Sequence, residues 1–245
     1  MTFWKCVVVT MLVTNAASVC ALEDNFDGSE LSFWWEVVTV GDGPTVSVGG
    51  GELLVTIPAT STGGGSWGNT GSPWISTGVR ATCEVVGDFD FSVEFVLVDW
   101  PALNGVRAGI GWLNGVSGAD GVVSRYNIGP PGGAVEPDYF AVHANEGPIN
   151  VATTDESGRL RVVRVGSSWT GYYDVGGGWV EIGTVLGPTD PIRPEIRLWC
   201  HPESFGGEDV SVAFDNFVLS VGDGCEGVVS VDEIGFGSLK ARFRE

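Results

Sequence analysis

The stretch DFDFSVEFVL (88–97) sets the terms for the whole chain. Phe89, Phe91, Val93, Phe95 and Leu97 take every second position, with Asp88, Asp90, Ser92 and Glu94 between them. A period of two separates the two kinds of side chain cleanly only on a β-strand, with one face apolar and the other wet. Comparable runs recur as FWWEVVTV (33–40), ELLVTIP (52–58), VRAGIGWL (106–113), VVSRYNI (122–128) and DYFAVHAN (138–145). They continue as RLRVVRV (159–165), WTGYYDV (169–175), WVEIG (179–183), EIRLWC (195–200) and VSVAFDNFVLSV (210–221). Clusters of Gly, Pro, Asn and Asp part them, and no helical period of useful length intervenes. Strands at this spacing predict an all-β chain folded as a two-sheet antiparallel jelly-roll sandwich. The 38 glycines supply the tight turns, and 43% apolar residues suffice for one substantial core.

The ends differ from this pattern. MTFWKCVVVTMLVTNAASVCALED begins with a short segment carrying Lys5, runs apolar from Cys6 to Val13, and closes on Val19 and Ala21. Residues 1–21 are therefore expected to be a secretory signal peptide cut after Ala21. A lipoprotein anchor at Cys20 fits less well, since ASVC places Val19 where a small residue is wanted. The sandwich is assigned to 22–221. Beyond it, 222–245 changes character and ends FGSLKARFRE, with Lys240, Arg242 and Arg244 around Leu239 and Phe243. This tail is expected to be either a solvated, disordered extension or a sorting tag, resembling short basic-aromatic C-termini of some secreted bacterial proteins. The stretch TSTGGGSWGNTGSP (60–73) is expected to be a glycine-rich loop carrying Trp67, with Trp74 just beyond.

Charge narrows the partners. Twelve Lys+Arg face 31 Asp+Glu, a net −19, and loss of Lys5 with the leader deepens it by one unit. Such a surface repels phosphate backbones and anionic lipid headgroups, so nucleic acid and membrane insertion are set aside and a monomer is expected. Poly- or oligosaccharides, cations and proteins remain. With two histidines, His143 and His201, and no CxxC, an imidazole- or thiolate-rich metal site has little to work with.

Five marks come in order along the chain: NFDGSEL followed by FWW, SPWISTGVRATCEVVGDFDFSVEF, VRAGIGW, GRLRVVRVG with WTGYYDVGGGW, and VAFDNFVLS. Together they resemble the concanavalin A-like lectin/glucanase superfamily over residues 23–221, and most closely the sandwich modules appended to glycoside hydrolases such as β-xylosidases. The resemblance implies two curved, stacked antiparallel sheets and frequent carbohydrate binding. It assigns the Tyr172–Tyr173 strand and Trp179 to the scaffold rather than to a site. It also implies a structural calcium ion near the chain ends, with Asp215 and Asp27 as ligands, or else ordinary turn bonding there. No other cofactor is expected.

Several strands place polar side chains opposite an apolar set. If they share the concave sheet, Glu94, Arg107, Arg125, Asn127, Tyr139, His143, Arg197 and Trp199 converge on one groove, with Gly109 and Gly111 leaving floor space. Rings would stack on sugar C–H faces while Arg, Asn and Glu bond hydroxyls. The plainer alternative is a solvated sheet face with incidental ion pairs. Glucanases of this superfamily carry a tight Glu-x-Asp-x-Glu or Glu-x-Asp-x-x-Glu strand motif. Here the comparable stretch offers Asp88, Asp90 and Glu94, and Asp88 and Glu94 would lie roughly 20 Å apart at roughly 3.3 Å per residue, too far for a two-carboxylate mechanism. Carbohydrate binding without cleavage is therefore expected. Alternatives are a lyase or hydrolase acting on an anionic glycan, and a structural or adhesion module displayed at the cell surface.

Three cysteines follow the leader: Cys83, Cys200 and Cys225. In sandwiches of this kind the last strand commonly pairs antiparallel with the one after the Gly87-Asp88-Phe89 mark. That would bring Cys225 to Cys83 as a disulfide and leave Cys200 free in the core, with Cys200–Cys225 as the competing pair.

Overall fold

The computed structural model of the chain describes residues 22–66, 73–113, 120–128, 138–144 and 147–223. The proposed leader, Trp67, Cys225 and the tail from 224 lie outside the described residues. The described part is built of antiparallel strands in two sheets.

The first sheet is assembled from β1 (Leu22–Asp24), β3 (Thr45–Val48), β4 (Leu53–Ile57), β7 (Val86–Asp99), β12 (Ser157–Val165), β13 (Ser168–Asp174), β14 (Val180–Leu186) and β16 (Val210–Asp223). Its order is β14-β13-β12-β7-β16-β4-β3, with β1 paired to β16. The second sheet contains β2 (Trp35–Val40), β5 (Gly64–Ser66), β6 (Pro73–Ala81), β8 (Arg107–Leu113), β9 (Asp120–Tyr126), β10 (Asp138–His143), β11 (Ile149–Thr153) and β15 (Arg193–Cys200). Its order is β11-β10-β9-β8-β15-β6-β2, with β5 paired to β6. The expected two-sheet antiparallel sandwich is the observed one. Five of these strands, β1, β3, β5, β6 and β11, went unread in the sequence.

The alternation in β7 works as anticipated: Phe89, Phe91, Val93 and Phe95 are buried. They meet Ile110, Phe140, Val142, Ile196 and Leu198 of the facing sheet in one core cluster. Aromatic rings bridge the layers, Phe95 edge-on to Phe140 at 6.2 Å and Phe140 stacked on Tyr173 at 4.4 Å. Near the N-terminus Phe26, Trp34, Trp35 and Phe217 close the sandwich, and the Trp35 indole N–H donates to Asp24 at 3.0 Å.

The two tryptophans of the Gly158–Gly183 stretch part company. Trp169 is completely buried, edge-on to Phe89 at 4.9 Å, and its N–H donates to the Pro188 carbonyl at 3.1 Å. Trp179 is only partly buried, on the outer face of the first sheet, where Arg159 and Arg161 lie over its ring at 4.8 and 5.5 Å. The assignment of Trp179 to the packed scaffold is therefore corrected. Its run begins in a glycine turn, so the strand alternation that buries Trp169 does not reach it.

Cys200 is a buried free thiol, as its alternation with Ile196 and Leu198 foretold. Burial is the main cause that pushes its pKa up to about 12. At pH 8 iodoacetamide should leave Cys200 unlabelled in the native protein and label it once urea is added; fast native labelling would mean that this end of the sandwich opens.

Candidate functional site

The second sheet's outer face is organised by β15. Ile196, Leu198 and Cys200 point into the core, so Glu195, Arg197 and Trp199 take the opposite face. Trp199 sits between Arg107 of β8 and Ser76 of β6, and Arg197 between Gly109 and Gly78. A Cβ at Gly111 would lie 2.8 Å from Arg197 Nε, so the floor space expected at that glycine is occupied by the guanidinium. Arg197 is itself almost wholly buried and pairs with Glu195 at 3.2 Å. Glu195 also accepts from Arg80 at 2.5 Å, and Arg80 and Arg193 flank Glu36 at 3.9 and 2.6 Å. This chain of alternating charge carries the face beside the groove and occupies its own members.

Above it opens a groove of about 270 Å³. Trp74, Tyr126, Trp199 and His201 form its aromatic lining; Arg107, Ser124 and His143 supply polar groups; Val122, Ala141 and Pro148 complete it. The rings of Trp74 and Trp199 stand 4.6 Å apart, and Trp74 lies 4.1 Å from His201. The Arg107 guanidinium is held between two rings, 4.1 Å from Tyr126 and 4.2 Å from Trp199. Burial lowers its pKa, with a smaller contribution from Arg197, although an arginine remains charged throughout the physiological range. Burial and then Arg107 hold His201 below the usual imidazole value, which favours its neutral form. The indole nitrogens of Trp74 and Trp199, the Ser124 hydroxyl and His201 Nδ1 are buried without a hydrogen-bond partner among the described residues. Buried donors left unbonded are costly, so a cluster of them at one groove points to a ligand that completes them.

The expected site residues divide. Arg107, His143 and Trp199 line the groove, and Tyr139 pairs across the strands with Tyr126 on the same face, ring to ring at 6.4 Å. Arg197 lies alongside, committed to Glu195. Three residues fall elsewhere. Glu94 belongs to the first sheet, where β7 runs between β12 and β16, and it accepts from Asn216 at 3.1 Å. Arg125 and Asn127 do share a side, but the opposite one. Arg125 pairs with Asp138 at 2.8 Å and donates to the Asp155 carbonyl at 2.9 Å, while Asn127 donates to Asp138 at 2.5 Å and accepts from the Gly105 N–H at 3.0 Å. The parity of β9 was ambiguous because Val122 and Val123 are both apolar; the fold puts Val122, Ser124 and Tyr126 on the groove face. Trp74 was hidden by the glycine- and proline-rich approach to β6, and Ser124, Tyr126 and His201 carried no signal beyond parity.

The Asp88–Asp90–Glu94 set lies with Glu94 on the outer face of the first sheet, away from the groove. There Asp90 makes a two-pronged bond to Arg161 at 2.8 and 2.5 Å, and Asp88 accepts from the Gly166 N–H at 2.8 Å. Asp215 and Asp27 are near enough to interact. The Asp215 carboxyl is raised chiefly by burial, with Glu94, Asp27 and Asp24 adding to it. Both make local turn bonds, Asp215 accepting from the Asn216 N–H at 2.6 Å and Asp27 from the Asn25 amide at 2.5 Å. No grouping of three or more His, Cys, Asp or Glu side chains fit to hold a metal ion occurs among the described residues. Asp215 and Asp27, the expected calcium ligands, thus lie in one acidic patch and make local turn bonds.

No family model matches the chain, and no curated protein matches it. Solved structures match in fold. A prokaryotic β-1,3-1,4-glucanase (lichenase) from a mouse hindgut metagenome is 12% identical with a TM-score of 0.56, covering 82% of this chain and 98% of its own. A pseudo β-1,3-glucanase and immunostimulatory antigen of Mycobacterium tuberculosis is 14% identical at TM-score 0.55, covering 81% and 97%. The Bacteroides ovatus xyloglucan PUL protein GH43B is 14% identical at TM-score 0.54, covering 80% of this chain but 38% of its own. The chain has the concanavalin A-like sandwich these proteins share. Glucanases match as well as the GH43 protein does, so the expected kinship with β-xylosidase modules narrows to that common fold.

Proposed function

We propose that the protein binds a glycan in the groove between Trp74, Tyr126 and Trp199 and does not cleave it. The observation that carries this reading is the groove itself: neighbouring rings for the apolar faces of sugars, beside buried N–H and O–H groups with no partner among the described residues. Among the described residues its lining includes no carboxylate, whereas hydrolysis of the usual kind needs two at a set separation. The fold's occurrence in glucanases, and in one protein described as a pseudo-glucanase, supports a carbohydrate ligand.

A glycan array, followed by reducing-sugar and unsaturated-product assays on the glycans that bind, tests both halves. Binding without product is expected. Trp74→Ala and Tyr126→Ala should each weaken binding about tenfold, equivalent to roughly 1.4 kcal/mol of lost stacking, with the melting temperature retained. Product release would replace binding with catalysis, and unchanged affinity in both variants would move the site off this groove.

An extracytoplasmic location and a Cys83–Cys225 bridge belong to the same reading. Asp223 lies opposite Val86 in the β16–β7 ladder. In sequence Cys225 follows Asp223 by two residues and Cys83 precedes Val86 by three, and such a bridge would contribute roughly 2–4 kcal/mol. Non-reducing peptide mapping of exported protein should yield a Cys83–Cys225 peptide and a chain starting at Leu22. A Cys200–Cys225 peptide or a retained leader would refute the corresponding half.

A further inference from the structure

The polar groups at the groove include several donors. The buried indole N–H groups of Trp74 and Trp199 can only donate, and the Ser124 hydroxyl can donate too. Trp199 and Ser124 are at least nine-tenths buried, so water does not readily satisfy them. Arg107 adds a full positive charge. Its guanidinium lies over both the Tyr126 and Trp199 rings, at 4.1 and 4.2 Å, and its planar fork of N–H groups suits a planar two-oxygen acceptor.

Neutralisation inside the protein stops short of this residue. Arg197 is compensated by Glu195, and Arg80 and Arg193 by Glu195 and Glu36. No carboxylate pairs with Arg107 among the described residues. Glu203 approaches the rim, but from solvent and toward His201, at 3.9 Å. In a chain of net charge −19, an arginine in an aromatic slot with no carboxylate partner among the described residues is a selective arrangement. A neutral hydroxyl would use single N–H groups and leave the charge uncompensated. A carboxylate matches the planar fork with two parallel bonds and brings acceptors for the neighbouring donors.

We propose, building on the glycan-binding reading, that the groove selects a carboxylate-bearing sugar, a uronic acid residue within the bound chain, with Arg107 as the partner of its carboxylate. Arg107 is thereby the specificity-determining residue, and the rings are the general sugar platform.

The experiment compares uronate oligosaccharides with the same oligosaccharides after chemical reduction of the carboxyl groups, which keeps linkage and ring shape while removing the charge. Titration calorimetry should show the reduced forms binding at least tenfold more weakly. Arg107→Gln should weaken the uronate form about tenfold more than it weakens the reduced form, closing the gap between the two. Arg107→Lys, which keeps the charge without the fork, should lie between and guards against a folding defect in the glutamine variant. Equal binding of uronate and reduced forms, or a loss in Arg107→Gln that is the same for both, overturns the carboxylate assignment and leaves glycan binding standing. Preferential binding of a sulfated neutral glycan also overturns it, in favour of a sulfate ester. Failure of every acidic, reduced, sulfated and neutral glycan to bind overturns the glycan reading itself.

Discussion

Trp169→Ala should lower the unfolding free energy by about 3–5 kcal/mol, as for other large buried aromatics. The indole is completely enclosed, lies edge-on to Phe89 at 4.9 Å, and donates its N–H to Pro188. Its surroundings fit closely: a Cβ placed on Gly187 would come within 2.5 Å of Trp169 Nε1. Truncation therefore opens a cavity and strands the Pro188 carbonyl. Trp179→Ala should cost about 1 kcal/mol or less, since that ring is only partly buried, lies outside the core cluster, and is covered by arginines. Urea titrations of the two variants decide the matter. Equal losses would show that Trp179 is packed as tightly as Trp169, and would reverse its placement on the outer face.

Glu195→Ala should be destabilising by about 3–5 kcal/mol, the usual cost of removing one partner from a buried ion pair. Glu195 is completely buried between Arg80 at 2.5 Å and Arg197 at 3.2 Å, and Arg197 is itself almost wholly covered. Removing the carboxylate leaves two guanidinium groups facing each other in a poorly hydrated space. Glu195→Gln keeps the shape but not the charge and should recover only part of the loss. Because Arg197 lies beside Trp199 in the floor next to the groove, glycan affinity should fall as well, measured well below the variant's melting temperature. A loss under about 1 kcal/mol, typical of an exposed pair, would show that water reaches this network.

The outward and inward faces of β7 could be read from DFDFSVEFVL without any structure, and so could the burial of Cys200 behind Ile196 and Leu198. Strict alternation is a local property, set by backbone geometry and by the cost of leaving apolar surface in water. The same reasoning fails where parity is degenerate. In RLRVVRV it could not say that Arg164 faces inward with Leu160 and Val162. Arg164 is tolerated there because it donates to the Gly87 and Asp190 carbonyls and lies over Phe89 at 4.6 Å. None of those partners is its neighbour in sequence. In VVSRYNI, parity could not choose between Arg125 and Ser124 for the groove.

What the sequence by itself determined is the strand inventory in outline, the sandwich class, and the faces of unambiguously alternating strands. What only the tertiary structure decided is which strands share a sheet. That step sends Glu94 to one sheet and Arg107, His143 and Trp199 to the other, and it brings in Trp74, Ser124, Tyr126 and His201, which no local pattern had marked. The physical reason is that alternation fixes the side of a strand through the chain's own geometry, whereas pairing partners are fixed by backbone hydrogen bonds between segments far apart in sequence. A binding groove belongs to the second kind of information: Trp74 and Trp199 are 4.6 Å apart in space only because β6 and β15 lie side by side.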